Sequence, residues 1–169
     1  MTTDLHLTEA QVATHEAGHV MAYFAVGWPF DHVTLDPENL EAAGMVVVND
    51  DDISNLWPDE YPASPAEERR SREFWLKWFV VNFAGIEAER IAGFQHNRED
   101  DAEGVIRALE MLDAPSLEDA WRLAAGAIVL GREMLKAEWS SVEAIRDALL
   151  ERRLISEREC RAILDGLGE

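Results

Sequence analysis

Two histidines and a glutamate near the start of the chain have the types and the spacing of a metal-dependent hydrolytic site. His15 and His19 are four residues apart, and Glu16 directly follows the first histidine. On an α-helix, residues four apart lie about 40° apart around the axis, so both imidazoles would share a tetrahedral ion. Glu16 would lie about 100° from His15, within reach of a metal-bound water whose proton it would take as a general base.

The surroundings of this HExxH pattern decide how it is interpreted, because five-residue patterns also arise by chance. The pattern lies on the predicted buried stripe of a helix, where two histidines and a glutamate are costly to bury without a partner such as a metal. We therefore predict a Zn²⁺ site with His15 and His19 as ligands and Glu16 as the catalytic residue.

A catalytic zinc site needs a third protein ligand. In the extended HExxHxxGxxH pattern the glycine and the third histidine would fall at Ala22 and Ala25, so the ligand must come from elsewhere. Asp101 precedes a predicted helix, which would fix its backbone and aim its short side chain, although an ordinary helix N-cap explains it equally well. The candidates are Glu89, His96, Glu99, Asp100 and Asp101. For Glu89, a contact that orients a ligating histidine is the alternative role.

The element that must position the two histidines is a strongly marked helix. Thr8 and Gln11 have the spacing of a capping box, and Gly27 stands where a helix would stop. Apolar residues and the two histidines recur between them at spacings of three and four, which predicts a helix from Thr8 to Val26 with one buried stripe.

Two short β-branched runs follow, at Asp31–Leu35 and Gly44–Val48, and they predict two strands of a small sheet. We expect the second strand to border the cleft, where an extended substrate would pair with it. The Pro-containing segment 53–65 predicts a long surface loop. An ordinary solvated loop is favoured over a lid that covers the cleft, and both remain open.

The rest of the chain is predicted to be helical. A dense apolar pattern from Ala66 predicts a central helix whose aromatic residues belong to the core, and further helices are predicted at 105–112, 117–139 and on both sides of Arg153 within 141–167. We predict an α+β, predominantly helical fold with a small β-hairpin. Residues 1–169 would form a single domain, with the metal-site half at 1–112 and C-terminal helices at 113–169.

Charge and cysteine content exclude several classes of protein. The chain has 15 Lys and Arg against 34 Asp and Glu, a net charge of -19, which argues against nucleic acid and anionic membranes as partners. Cys160 is the only cysteine, so no intramolecular disulfide is possible. Without a visible secretory signal or an apolar run of roughly 20 residues, we expect a cytoplasmic protein that is not inserted in a membrane.

Several segments together resemble the FtsH-type zinc peptidase domain. The HEAGH sequence at His15–His19, the Gly-Trp-Pro at 27–29 and Val33–Leu35 are similar to its beginning. Ala84–Glu89 is similar to the small-residue and glutamate signature on the helix that precedes the family's third ligand. The resemblance covers nearly the whole chain, and its further matches are Ala43-Gly44, Gly93, Glu138-Trp139, Leu149-Leu150-Glu151 and Leu154.

The resemblance implies a zincin-like FtsH peptidase-domain fold and a zinc metallopeptidase activity. The family's third zinc ligand, an aspartate that opens a helix, maps best to Asp101. The glycines usual beside that aspartate are absent here, so a shift to Asp100 stays open. Ile86 stands where the family has an arginine, and this change leaves the proposed zinc ligands intact.

FtsH proteases also carry an ATP-driven unfolding ring and membrane helices, and this sequence contains no GxxxxGK[ST] phosphate-binding loop. We therefore expect an ATP-independent endopeptidase that acts on flexible or unfolded polypeptides, unless a separate unfoldase delivers them. The oligomeric state, including a homo-oligomer, stays open. The competing function is a non-catalytic, zinc-containing binding or adaptor module, although such a module would not need Glu16; hydrolysis of a non-peptide amide would use the same site.

Overall fold

The computed structural model describes residues 8–36, 44–49, 56–58, 63–94, 106, 108–112 and 114–168. The fold is α+β and predominantly helical, with a small antiparallel sheet, as the sequence predicts. The elements in chain order are helix α1 (Glu9–Val26), strands β1 (His32–Thr34) and β2 (Met45–Val47), helices α2 (Pro65–Ile91), α3 (Leu117–Ala137) and α4 (Trp139–Arg152), strand β3 (Leu154–Ser156) and helix α5 (Glu157–Asp165).

Helix α1 begins and ends where the capping residues predict. The Thr8 hydroxyl accepts a hydrogen bond from the backbone N–H of Gln11 at 3.1 Å, and Gly27 ends the helix with a φ of 73°. The buried surface of α1 is wider than the predicted stripe, because every residue from Gln11 to Gly18 is buried. Helices α2 and α4 and the start of the sheet all pack against α1, so it is covered from several sides.

Helix α2 is central, as predicted, because it packs against both α1 and α3. It approaches α1 closely at Gly18, where an added Cβ atom would lie 2.6 Å from the backbone oxygen of Ala84 and 2.7 Å from the Cβ of Ala88. Small residues on both helices therefore set the distance between them. Phe74 and Phe79 on α2 are core residues, which confirms their predicted role.

The sheet has three strands in the order β2-β1-β3, with both pairs antiparallel. The two predicted strands are confirmed as the hairpin β1–β2, in which Val33 lies opposite Val46. The third strand was not predicted: Ile155 lies opposite Val33 on the other side of β1. Arg153 has a φ of 65° and turns the chain from α4 into β3, and the next helix begins directly after Ser156.

The later elements share a core with the early ones. Ile145, Leu149 and Ile155 are buried in one cluster with Val12 and Val20 of α1. Before α3, residues 106 and 108–110 are helical as predicted, within the part of that segment that the structure describes.

Two ion-pair clusters join separate elements. Arg153 forms ion pairs with Asp36, just after β1, and with Glu9 at the start of α1. The buried Glu87 carboxylate of α2 accepts hydrogen bonds from Arg90 and from Arg132 of α3.

Of the predicted loop at 53–65, residues 56–58 and 63–65 are described. Trp57 is about half exposed, and its ring packs against Phe74 with 5.2 Å between the ring centroids. None of the described helices combines the length and the apolar character needed to cross a membrane.

Candidate metal centre

His15 and His19 lie side by side on α1, as their spacing predicts. Their Nε2 atoms are 3.0 Å apart, and their rings meet edge to face with 4.7 Å between the centroids. His15 is buried and His19 is half-buried.

The other nitrogen of each ring is held by a group on α2. His15 Nδ1 lies 2.6 Å from Glu89 Oε1, and His19 Nδ1 lies 2.7 Å from the backbone oxygen of Val81. Because a carbonyl oxygen only accepts hydrogen bonds, His19 must carry a hydrogen on Nδ1. The carboxylate favours the same tautomer of His15, so in both neutral rings Nε2 presents a lone pair.

The donor chemistry of this pair fits a zinc ion. Two lone pairs that face each other across 3.0 Å repel unless a proton or a metal cation lies between or beside them. Two nitrogen ligands of a tetrahedral zinc, each bound at 2.0–2.1 Å, are roughly 3.3 Å apart. The two Nε2 atoms therefore match the donor type and nearly match the spacing of two zinc ligands.

Glu89 has a role that the sequence only partly indicated. It was a candidate third ligand, but the structure places its carboxylate against His15 Nδ1 rather than beside the two Nε2 atoms. Its second oxygen accepts a hydrogen bond from the Gln11 side chain at 3.0 Å, and both side chains are buried. A carboxylate in this position fixes the orientation and the tautomer of the imidazole, which favours metal binding at Nε2.

Gly85 makes room for the His15 ring. An added Cβ atom at this position would lie 2.5 Å from His15 Nε2 and 2.6 Å from two ring carbons. Any other residue would displace the imidazole or separate α1 from α2. The glycine in the Ala84-Gly85 segment thus has a direct contact role at the site.

Glu16 lies in the cleft that contains both histidines. The side chain is almost fully buried, and an added Cβ atom at Gly44 would lie 2.8 Å from its Cγ atom. The cleft has a volume of about 260 Å³ and is bordered by α1, by the start of β2 and by α2. Its lining residues are His15, Glu16, His19, Tyr23, Gly44, Met45, Val46, Val81 and Asn82.

Tyr23 is a cleft residue that the sequence analysis missed. It follows His19 by four residues, as His19 follows His15, so this spacing was the available signal. Its ring packs against Phe30 and Trp28. Burial raises the pKa of the Tyr23 hydroxyl, which therefore stays protonated and able to donate a hydrogen bond at neutral pH.

The predicted third ligand Asp101 lies outside the described residues, and so do His96, Glu99 and Asp100. Within the described ranges, no group of three or more His, Cys, Asp or Glu side chains is arranged to hold a metal ion.

No family model matches this chain, and none of the curated proteins matches it. The chemistry of the cleft is therefore inferred from its own residues.

Proposed function

We propose that the protein is a zinc-dependent metallopeptidase that hydrolyses peptide bonds in flexible or unfolded polypeptides without using ATP. One observation carries this proposal. The Nε2 atoms of His15 and His19 lie 3.0 Å apart, groups on α2 hold both Nδ1 atoms, and the buried Glu16 side chain lines the same cleft. This combination is typical of metal-assisted hydrolysis.

His15 and His19 would hold the zinc ion through Nε2, and Asp101 is the proposed third ligand, with Asp100 as the alternative. When bound, zinc polarises a carbonyl group and lowers the pKa of a coordinated water towards 7. Glu89 and the backbone oxygen of Val81 keep both imidazoles in the tautomer that binds metal through Nε2.

Glu16 is the proposed general base. Its carboxylate accepts the proton of the attacking water and then delivers that proton to the leaving amine. Tyr23 adds a neutral hydrogen-bond donor to the same cleft.

The edge strand β2 supports a polypeptide substrate. Among the described strands it has a neighbour on one side only, and Gly44, Met45 and Val46 line the cleft. An extended peptide can pair with such an edge through main-chain hydrogen bonds, which depend little on the peptide's sequence. A chain segment must be unfolded to adopt this extended form, which favours flexible substrates.

We also propose that the fold is, more specifically, that of a zincin-like FtsH-type peptidase domain, and the contacts between two helices support this. The helix with the HEAGH sequence packs against the helix that carries Gly85 and Glu89, and both of these residues contact His15.

The activity is tested with Glu16→Gln. We expect the wild type and the variant each to carry about one zinc per chain. We expect only the wild type to degrade casein, because the amide that replaces the Glu16 carboxylate cannot accept a proton from water. Zinc is measured by mass spectrometry and casein fragments by electrophoresis. Glu9→Gln, an exposed position on the same helix, is the matched control and should keep both properties. Equal cleavage by wild type and Glu16→Gln would rule out the peptidase, and zinc without cleavage would favour the non-catalytic module.

The third ligand is tested with Asp101→Asn and Asp100→Asn. We expect Asp101→Asn to lose zinc and Asp100→Asn to keep it, because an amide is a much weaker zinc ligand than a carboxylate. Metal content after dialysis is the measurement. The opposite result would assign the ligand to Asp100, and retention of zinc by both variants would exclude both.

A further inference from the structure

The Tyr23 hydroxyl is a polar group of the cleft that the fold itself does not use. Tyr23 lines the cleft together with both histidines. Within the described ranges its hydroxyl has no hydrogen-bond partner, and the one fully buried polar side-chain atom without a partner there is Trp75 Nε1. The Tyr23 hydroxyl is therefore in contact with solvent and is free to bind a ligand in the cleft.

The fold places this hydroxyl on the His19 side of the cleft. His15, His19 and Tyr23 follow one another at intervals of four residues and so form one row along α1. Long side chains on an α-helix lean towards the preceding turn, and for Tyr23 that is the turn of His19. The rings of Phe30 and Trp28 pack against the Tyr23 ring, with centroids 5.7 and 6.4 Å away, and hold it in place.

Glu16 and Tyr23 occupy different positions along the cleft. The Glu16 side chain lies beside Gly44, where an added Cβ atom would be 2.8 Å from its Cγ and 3.0 Å from its Oε1. Tyr23 comes seven residues after Glu16, which is about 10 Å further along the axis of α1. His19 lies between them in the chain. A carboxylate and a hydroxyl thus reach the space beside the histidines from two directions.

Peptide hydrolysis needs groups in two such positions. As water adds, its oxygen bonds to the carbonyl carbon, and Glu16 takes its proton. The electron pair of the C=O double bond moves to the carbonyl oxygen, which becomes an oxyanion. When the C–N bond then breaks, this pair re-forms the double bond, and the amine receives the proton from Glu16. A fixed donor beside the oxyanion stabilises the transition state and keeps its own proton throughout.

Tyr23 is suited to be this donor. Burial raises the pKa of its hydroxyl, so the phenol stays protonated at neutral pH. The other uncharged side-chain donor among the lining residues is the Asn82 amide, which already donates to the backbone oxygen of Trp78 at 2.9 Å.

We propose that the Tyr23 hydroxyl donates a hydrogen bond to the oxygen of the scissile carbonyl group as that oxygen gains negative charge. This inference rests on the proposed peptidase function and makes Tyr23 a catalytic residue of it. Because the charge develops only during the reaction, loss of the hydroxyl lowers kcat and leaves KM nearly unchanged.

The kinetic role is tested with Tyr23→Phe, which removes the hydroxyl and keeps the ring that packs against Phe30. We expect an unchanged Tm and zinc content, and a kcat about 100-fold lower on an internally quenched fluorogenic peptide. Ser140→Ala, which removes an exposed hydroxyl on α4, is the control and should keep the wild-type kcat. A folded, zinc-loaded Tyr23→Phe variant with the wild-type kcat, or with a change in KM alone, would overturn the proposal.

A binding measurement tests the same contact without catalysis. A phosphinic peptide carries a tetrahedral anionic group that resembles the oxyanion, whereas a thiol peptide of the same sequence binds zinc through sulfur and has no oxygen in that position. By calorimetry on the zinc-loaded protein, we expect Tyr23→Phe to raise the Kd of the phosphinic peptide at least about tenfold and that of the thiol peptide less than about twofold. Equal effects on both peptides would overturn the proposal.

The two experiments separate this inference from the function on which it rests. A wild type that cleaves peptides as fast as Tyr23→Phe does would reject the role of Tyr23 and keep the peptidase. A wild type that binds the phosphinic peptide through Tyr23 but cleaves no peptide would reject the peptidase, and it would support Tyr23 as a donor to a tetrahedral anion in this cleft.

Discussion

Glu89 holds the His15 ring through Nδ1 while its other oxygen accepts a hydrogen bond from Gln11. All three side chains are buried, so this contact operates away from bulk water. A carboxylate partner fixes the tautomer and the orientation of the imidazole, and both effects strengthen binding of a metal at Nε2.

We therefore predict that Glu89→Gln weakens zinc binding by about 10- to 100-fold, the usual effect of losing such a partner. Zinc affinity is measured by competition with a chromophoric chelator, and Tm shows whether the variant is folded. Glu143→Gln, an exposed glutamate on α4, supplies the matched control. An unchanged zinc affinity in a folded Glu89→Gln variant would mean that this contact is not needed for metal binding.

At the residue scale the sequence predicted the histidine pair and Glu16 in the cleft, because a spacing of four fixes where side chains lie on a helix. It left open whether Glu89 is a zinc ligand or the partner of a ligating histidine, since the contact with His15 joins two helices more than 70 residues apart in the chain. The same holds for Gly85, whose importance depends on the ring packed against it.

Among the elements, α2 and α3 are joined by the buried Glu87 carboxylate. Burial by itself raises the pKa of this carboxyl, but the hydrogen bonds and charges of Arg132 and Arg90 outweigh it and hold the pKa below its usual value. The folded state therefore binds fewer protons than the unfolded state as the carboxyl titrates. Its contribution to stability is complete above the unfolded pKa of about 4.3 and is lost as the pH falls through the lower folded value.

We predict that Glu87→Gln lowers the free energy of unfolding near pH 6, because two guanidinium groups lose their carboxylate partner. The difference in the free energy of unfolding between variant and wild type should shrink as the pH falls below about 4. The wild-type carboxylate becomes protonated in this range and loses its charge, as the variant's amide has none. Urea unfolding at a series of pH values measures this, with Glu143→Gln as a control for the change in net charge. A difference that stays constant from pH 6 to pH 3 would show that Glu87 does not act through its charge.

Element boundaries were predicted best where capping residues mark them. Thr8 and Gly27 delimit α1, as predicted. Ser64 and Ser116 cap α2 and α3 by accepting hydrogen bonds from backbone N–H groups, and neither was predicted as a cap. Strand β3 was missed because it has a single β-branched residue, Ile155, whereas β1 and β2 lie in runs with two or more. Its strand character comes from pairing with β1, which a local pattern does not contain.

At the scale of the whole molecule, the net charge of -19 opposes association of two copies. Salt screens this repulsion over distances of about 8–10 Å at physiological strength.

The central place of β1 has a consequence for synthesis. One of its partners, β2, follows after about ten residues, whereas β3 is made only after about 120 residues beyond β1 have been translated. A nascent chain thus carries the complete HEAGH helix long before its sheet can close, and until then β1 exposes an edge that can pair wrongly. The hairpin β1–β2 beside the cleft can form early, but the sheet that supports it is complete only when β3 pairs with the other side of β1. The order of translation therefore delays completion of the sheet behind the proposed substrate edge until most of the chain has been made.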